Sequence, residues 1–282
     1  MGAAAIFARY ALGGAQPIAV AAARLAIAAS VLLMIAAIRP ERAQLDKRSR
    51  LILLGAGVAL ALHFATWIGS LDYTNIAVST LLVTTTPIWT AAYDAIVLRR
   101  GRTPATLYAF AAGAVGIVMV VGFDRTAPPF AGHDLLGAGL ALFGAVAIGA
   151  YFTLVREVRD RLTTRTIVTH TYTWAAIGLL LAAIVAREPL PSPSAGAAWG
   201  GILAMALLSQ LLGHTALNAA LRWFSPSAIA FATLLEPVIA ASLALAIFHE
   251  AIAPVAVVGG LVLLAAIGVV LREDRIAFIT EM

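Results

Sequence analysis

Apolar runs of roughly twenty residues recur from one end of this chain to the other. As a helix, such a run covers about 30 Å, the hydrocarbon thickness of a bilayer. An isolated strand in lipid would leave its backbone groups unpaired. The runs are also too long and too continuous for the strands of a barrel. Of the 282 residues, 62% are hydrophobic and 12% charged, against about 25% charged in a soluble domain. The longest polar stretch, 39–50, is too short to fold alone. These features predict an all-α integral membrane protein. Ten spans are expected, at 1–12, 18–38, 51–71, 73–98, 104–121, 135–155, 166–186, 195–221, 225–248 and 252–271.

The runs fall into two sets. Pro87 and Pro104 recur as Pro237 and Pro254, with the same separation of 17 residues. The run 76–98 answers 226–248, and 104–121 answers 254–271. Each copy holds five spans, and an odd number forces the second copy to enter the membrane from the opposite side. That is an inverted repeat, the geometry in which secondary transporters hold substrate near the midplane, between the halves. The expected organisation is a first repeat over 1–122, an external linker over 123–133 containing Pro128 and Pro129, and a second repeat over 134–282. The first span has only about a dozen residues before Gly13 and Gly14, too few to cross ~30 Å. The natural protein is therefore expected to start upstream of Met1.

Charge sets the orientation. With the N-terminus inside, fifteen Lys and Arg residues fall on the inner side, and only Arg125 and Arg187 fall outside. This is the positive-inside bias, and it predicts that both termini are cytoplasmic. It also explains the net charge of +5 without a nucleic-acid partner. The absence of cysteine excludes disulfides and thiolate metal sites. No Gly-rich phosphate loop with Lys is present, and His, Asp and Glu lack metal-ligand spacing. Neither a cofactor nor an enzymatic reaction is expected.

Polar residues inside spans are costly and usually face a cavity or another helix. Gln210, His214 and Asn218 are spaced by four, and His63 and Trp67 lie one helical turn apart. The repeat relates their two spans, so the two histidine faces would meet across its axis. A histidine there could carry protons, or simply be hydrogen-bonded structure. Thr84, Thr85 and Thr86 precede Pro87, with Trp89 and Tyr93 beyond. The proline frees backbone carbonyls, which could hold an ammonium group or be satisfied by the threonines. Pro87 and Pro237 are expected to act as paired hinges. Glu236 is the only carboxylate deep in an apolar run. It could carry a proton, bind a substrate amine, or pair with Arg9 or Arg24. Tyr151, Tyr172 and Trp174 would add aromatic faces to the cavity. Asp94 is expected to pair at the surface with Arg99 and Arg100. Gly113, Gly116, Gly137, Gly139, Gly144 and Gly149 would let helices approach closely.

The segment Leu235-Glu236-Pro237-Val238, with Glu250 and Gly259-Gly260 after it, resembles the second-repeat signature of EamA-type transporters in the drug/metabolite transporter superfamily. Arg24 and Gly116 also sit where that family often has Arg and Gly. The resemblance covers essentially the whole chain. It implies a ten-helix basket whose cavity is built mainly by the third, fourth, eighth and ninth spans. It also implies export of amino acids, aromatic ones among them, or of cationic drugs. The chain departs from the family in the first repeat, where Arg99 and Arg100 replace a frequent Glu after the fourth span.

These readings converge on an exporter of apolar or aromatic amino acids and related metabolites, working as a monomer by alternating access, with protons as candidate coupling ions. Export of cationic drugs by proton antiport is the alternative. A non-transporting scaffold or a lipid-modifying enzyme would be the reading from another class.

Overall fold

The computed structural model describes residues 1–41, 45–96, 103–122, 134–220, 233, 235–250 and 252–280. The helices are α1 (Ala4–Leu12), α2 (Pro17–Ile38), α3 (Lys47–Ser70), α4 (Ile76–Val83), α5 (Thr86–Ile96), α6 (Pro104–Gly122), α7 (Asp134–Val158) and α8 (Thr164–Ala186). They continue as α9 (Gly196–Ala220), α10 (Leu235–Phe248) and α11 (Pro254–Thr280). No strand occurs among the described residues. Seven segments there are long and apolar enough to cross a membrane, counting α4 and α5 as one over Ile76–Tyr93. Shorter apolar helices cover Pro104–Val120 and Leu235–Phe248. With nine residues, α1 is only about 14 Å long. Of these three, α1 alone is short in itself; α6 covers the expected fifth span, and part of the ninth lies outside the described residues.

Local chemistry explains where the helices begin. Pro17, Pro104 and Pro254 open α2, α6 and α11, where a missing N–H costs nothing and φ is already helical. The side chains of Asp46, Asn75 and Thr163 cap α3, α4 and α8 by accepting from Ser49, Val78 and Thr166 N–H. Ladders of apolar residues carry each helix onward.

Antiparallel packing sets the two ends of the bundle. Along α7, Gly137 lies against Tyr73 and Thr74, Gly144 against His63 and Thr66, and Leu154 against Gly55. The turn after α3 therefore lies at one end, and Arg156 and Arg159 at the other. The main packing pairs are α3 with α7 and α8, α2 with α8, α6 with α11, α1 with α9, and α4 with α7 and α10. At the α6–α11 crossing, a Cβ on Gly116 would stand 2.8 Å from the Gly259 carbonyl oxygen, so the two backbones touch.

The distribution of polarity inverts that of a soluble protein. Val185, Ile184 and Ile38 are more than 70% exposed, while Arg24, Gln210, Ser70, Ser79 and Thr171 are fully buried. An apolar exterior of this kind requires an apolar solvent. The linker 123–133, the start of the ninth expected span at 225–232, and Arg99, Arg100 and the Asp94 side chain lie outside the described residues.

Candidate functional site

A cavity of about 250 Å³ opens within the bundle. Its wall includes Arg24 of α2, His63, Phe64 and Trp67 of α3, and Thr80 and Val83 of α4. The α5 residues Thr86, Pro87 and Thr90 join it, with Ile148 and Phe152 of α7, Ser209 and His214 of α9, and Glu236 of α10. Arg156 and Arg159 also line it, at the end of α7 away from the α3–α4 turn. The third, fourth, eighth and ninth expected spans all contribute, as do the second and sixth.

The histidine faces do converge, through a shared ring. The His63 imidazole stacks parallel to Trp67, with centroids 6.1 Å apart. Phe64 meets His63 edge-on at 4.7 Å and His214 edge-on at 5.4 Å. His63 Nδ1 donates to the Gly144 carbonyl at 2.9 Å, the tautomer that a carbonyl acceptor requires.

The α9 register differs from a simple α-helix. Residues Met205–His214 form a π-helix, closed by i→i+5 bonds that widen the turn. Thr215 N–H donates to the Gln210 carbonyl as part of this stretch. The four-residue spacing still keeps Gln210, His214 and Asn218 inside the protein, with three different partners. Gln210 Oε1 accepts from Arg24 Nη2 at 2.7 Å. His214 faces the cavity. Asn218 donates to the His214 carbonyl and accepts from the Tyr151 hydroxyl at 3.3 Å. Tyr151 is thereby buried behind the cavity wall.

Between α4 and α5 the chain breaks at Thr84 and Thr85, just before Pro87. Thr84, Thr85 and Thr86 donate their hydroxyls to the carbonyls of Leu81, Leu82 and Val83. Each of those carbonyls therefore has a threonine hydroxyl as a donor, as expected if the threonines satisfy the backbone that the proline frees. Trp89 Nε1 donates to Thr85 Oγ1 at 2.9 Å, so Thr85 and Trp89 serve each other and stand apart from the lining. Pro87 is the second residue of α5, in that helix's first turn and not in its interior, while Pro237 lies in α10. Tyr93 and Trp174, 42% and 40% exposed, face outward, a placement their apolar rings tolerate in lipid as readily as in a cavity.

Glu236 pairs with neither Arg9 nor Arg24. Arg9 Nη2 bridges Glu250 Oε1 at 3.1 Å, both side chains being under 20% exposed. Arg9 also donates to the Leu71 and Thr74 carbonyls. Glu250 Oε2 accepts from Ile76 N–H at 2.9 Å, at the positive end of α4. Glu188 does the same for α2, accepting from Ile18 and Ala19 N–H at 2.8 and 3.0 Å. Each glutamate follows a residue with left-handed backbone, Arg187 or His249, both at φ 57°. That turn closes one helix and swings the next side chain onto another helix. These contacts lie at the end of the bundle opposite Arg156 and Arg159. They were invisible in the sequence, whose only hint was Glu250 in the family signature.

The two ends hold contrasting carboxylates outside the spans. Asp72 lies beside the Arg9 cluster. Burial lifts its carboxyl above the usual range, with Arg9 opposing and Glu188 adding to the rise. At the other end, Glu41 accepts from the Thr163 and Thr166 hydroxyls and pairs with Arg165 at 2.8 Å. Desolvation works to raise the Glu41 carboxyl, but these partners together hold it below the usual range.

A lipid-facing helical bundle around an internal cavity of charged, aromatic and hydroxyl groups has the construction of a membrane solute transporter. Comparison with known families agrees. Residues 1–122 and 135–272 match the EamA-like transporter family, and the chain belongs to it. It is a multi-pass membrane protein of the drug/metabolite transporter superfamily. A crystal structure of a protein 17% identical in sequence has the same fold, with a TM-score of 0.67 over 97% of this chain and 96% of that one. No curated protein matches the sequence.

Proposed function

We propose that this protein exports amino acids with apolar or aromatic side chains, and related small metabolites, by alternating access. The observation that carries the reading is the cavity itself. It places a guanidinium, a carboxylate and aromatic rings around a space of about 250 Å³, just below the ~300–1,000 Å³ of most small-molecule sites. Charges of both signs suit a zwitterion, and the rings of Phe64, Trp67 and Phe152 suit its side chain.

The working parts are two inverted five-helix repeats. Counting α1 and the two shorter apolar helices with the seven long segments completes ten spans. Their packing supports a pseudo-twofold relation: α3 meets α7 as α9 meets α1, and α4 meets α7 as α10 meets α1. The pairs α2 with α8, α4 with α10, and α6 with α11 each join a helix to its own counterpart. The separately matched segments 1–122 and 135–272 have nearly the bounds of these repeats. Pro87 and Pro237 are the hinges about which the halves rock. The Arg9–Glu250 cluster closes the external end, and the cavity faces the arginine-rich cytoplasmic end of a bacterial inner membrane. One chain makes one pathway. His63, His214 and Glu236 are the candidate proton carriers.

Export of cationic drugs by proton antiport has Glu236 and the aromatic walls in its favour. Arg24, whose guanidinium lines the same cavity, repels a substrate that carries only positive charge and favours the zwitterion.

The test is efflux of radiolabelled amino acids from proteoliposomes, with and without a pH gradient. Saturable efflux of phenylalanine or leucine upholds the reading, and dependence on the gradient assigns proton coupling. A folded preparation that moves cationic dyes but no amino acid overturns it.

A further inference from the structure

We infer that Arg24, with the indole N–H of Trp67, forms the subsite for a carboxylate on the transported solute. This rests on the cavity's being the substrate site. It goes further by naming the chemical group and the residues that take it.

The argument starts from unmet hydrogen-bonding capacity. Arg24 is fully buried, yet no carboxylate among the described residues pairs with it. Its guanidinium lies over the Phe64 ring, 4.0 Å from the centroid. Of its five N–H donors, Nη2 reaches the neutral amide oxygen of Gln210 at 2.7 Å. Nη1 meets only the Met205 thioether at 4.0 Å, a weak acceptor. Nε has no partner. A buried charge without a counterion is costly, and membrane proteins keep such groups for function.

Two more orphans point the same way. Trp67 Nε1 is buried without an acceptor, and so is Thr80 Oγ1. Arg24, Trp67 and Thr80 all line the one cavity. The guanidinium and the indole can only donate, and the threonine hydroxyl can donate as well. A cluster of donors bearing a positive charge selects an acceptor-only anion. The planar fork of arginine matches a carboxylate in particular. The aromatic contacts hold the guanidinium in place before any ligand arrives, so little entropy is lost on binding.

The experiment measures binding of three probes to the purified full-length protein in lipid nanodiscs. L-Phenylalanine carries both charged groups, 3-phenylpropanoate only the carboxylate, and phenethylamine only the ammonium. The expected result is that both carboxylates bind and that phenethylamine binds at least tenfold more weakly than phenylalanine. R24Q should weaken both carboxylates by about 10- to 150-fold, the range of a charge-assisted hydrogen bond, and leave phenethylamine unchanged or tighter. W67F keeps an aromatic ring, though a smaller one, and removes the N–H; it should cost the carboxylates a few-fold more than it costs phenethylamine. The comparison of probes on the unaltered protein needs no variant, so a misfolded R24Q does not shelter the idea. Phenethylamine binding as tightly as phenylalanine would overturn the carboxylate subsite while leaving amino-acid export standing. Unchanged carboxylate affinity in a folded R24Q would do the same. Failure of all three probes to bind a folded preparation would overturn the aromatic amino-acid reading and the subsite together.

Discussion

Replacing Glu250 by glutamine should open the outer end of the cavity. The carboxylate holds two elements together: Oε1 faces Arg9 at 3.1 Å and Oε2 accepts from Ile76 N–H at 2.9 Å. Glutamine keeps a carbonyl oxygen for the Ile76 N–H, so the loss is mainly the charge. A charge-assisted hydrogen bond contributes about 1.5–3 kcal/mol, and a carboxylate at a helix N-terminus about 0.3–1 kcal/mol more. The pair is mostly shielded from water, so screening removes little of this. A conservative loss of about 1.5–3 kcal/mol, at tenfold per 1.4 kcal/mol, raises a minor open state by roughly 10- to 150-fold. The chain has no cysteine, so a single Thr84→Cys on the cavity wall reports without background. In intact cells, a membrane-impermeant maleimide reaches that thiol only through the outer end. Labelling should accelerate by the same 10- to 150-fold in E250Q, with the thermal midpoint lowered by only a few degrees. Labelling within twofold of the parent rate would refute the view that the Arg9–Glu250 contact holds this end shut.

Three further outcomes are expected. G116A should destabilise the detergent-solubilised protein by about 1–3 kcal/mol, read as a lower thermal midpoint, because the added Cβ meets backbone atoms of α11 at 2.8 and 3.0 Å. E41Q should cost about 0.5–1 kcal/mol at pH 7; since the folded carboxyl titrates below its usual range, this difference should persist above about pH 4.3 and vanish as pH falls through the folded value. D72N should act with the opposite sign: the folded Asp72 carboxyl titrates above its usual range, so removing its charge should raise the thermal midpoint at pH 7, with the gain fading as pH falls through the folded value and absent below about 4.

Much of the architecture was legible before any coordinates. Helix ends at Pro17, Pro104 and Pro254 follow from local backbone chemistry, and the apolar runs between them follow from hydropathy. His63, Trp67, His214 and Glu236 were recognisable as cavity candidates because polar groups seldom enter spans without cause, and all four line the cavity. Thr85 and Trp89 were equally visible, but their mutual hydrogen bond takes them out of the lining. Arg24 stood out in sequence as a possible partner of Glu236 and through family resemblance, but a lone arginine in a span carries no sign of what it meets.

What tertiary structure decided is which face of each helix turns inward and which distant residues meet. In water, hydrophobic periodicity announces the buried face. In lipid both sides of a helix are apolar, so periodicity is nearly silent and close packing selects the rotation. Tyr93 and Trp174 therefore face outward although their composition suits a cavity equally well. The π-helical stretch Met205–His214 also depends on context. The pairing of Arg9 with Glu250 and the capping of α2 by Glu188 join segments far apart in the chain, and they exist only once the helices have assembled. Sequence alone determined that this chain crosses membranes as helices and carries polar groups inside them; assembly alone determined that Arg24 meets no carboxylate among the described residues and that Arg9 and Glu250 meet at one end of the bundle.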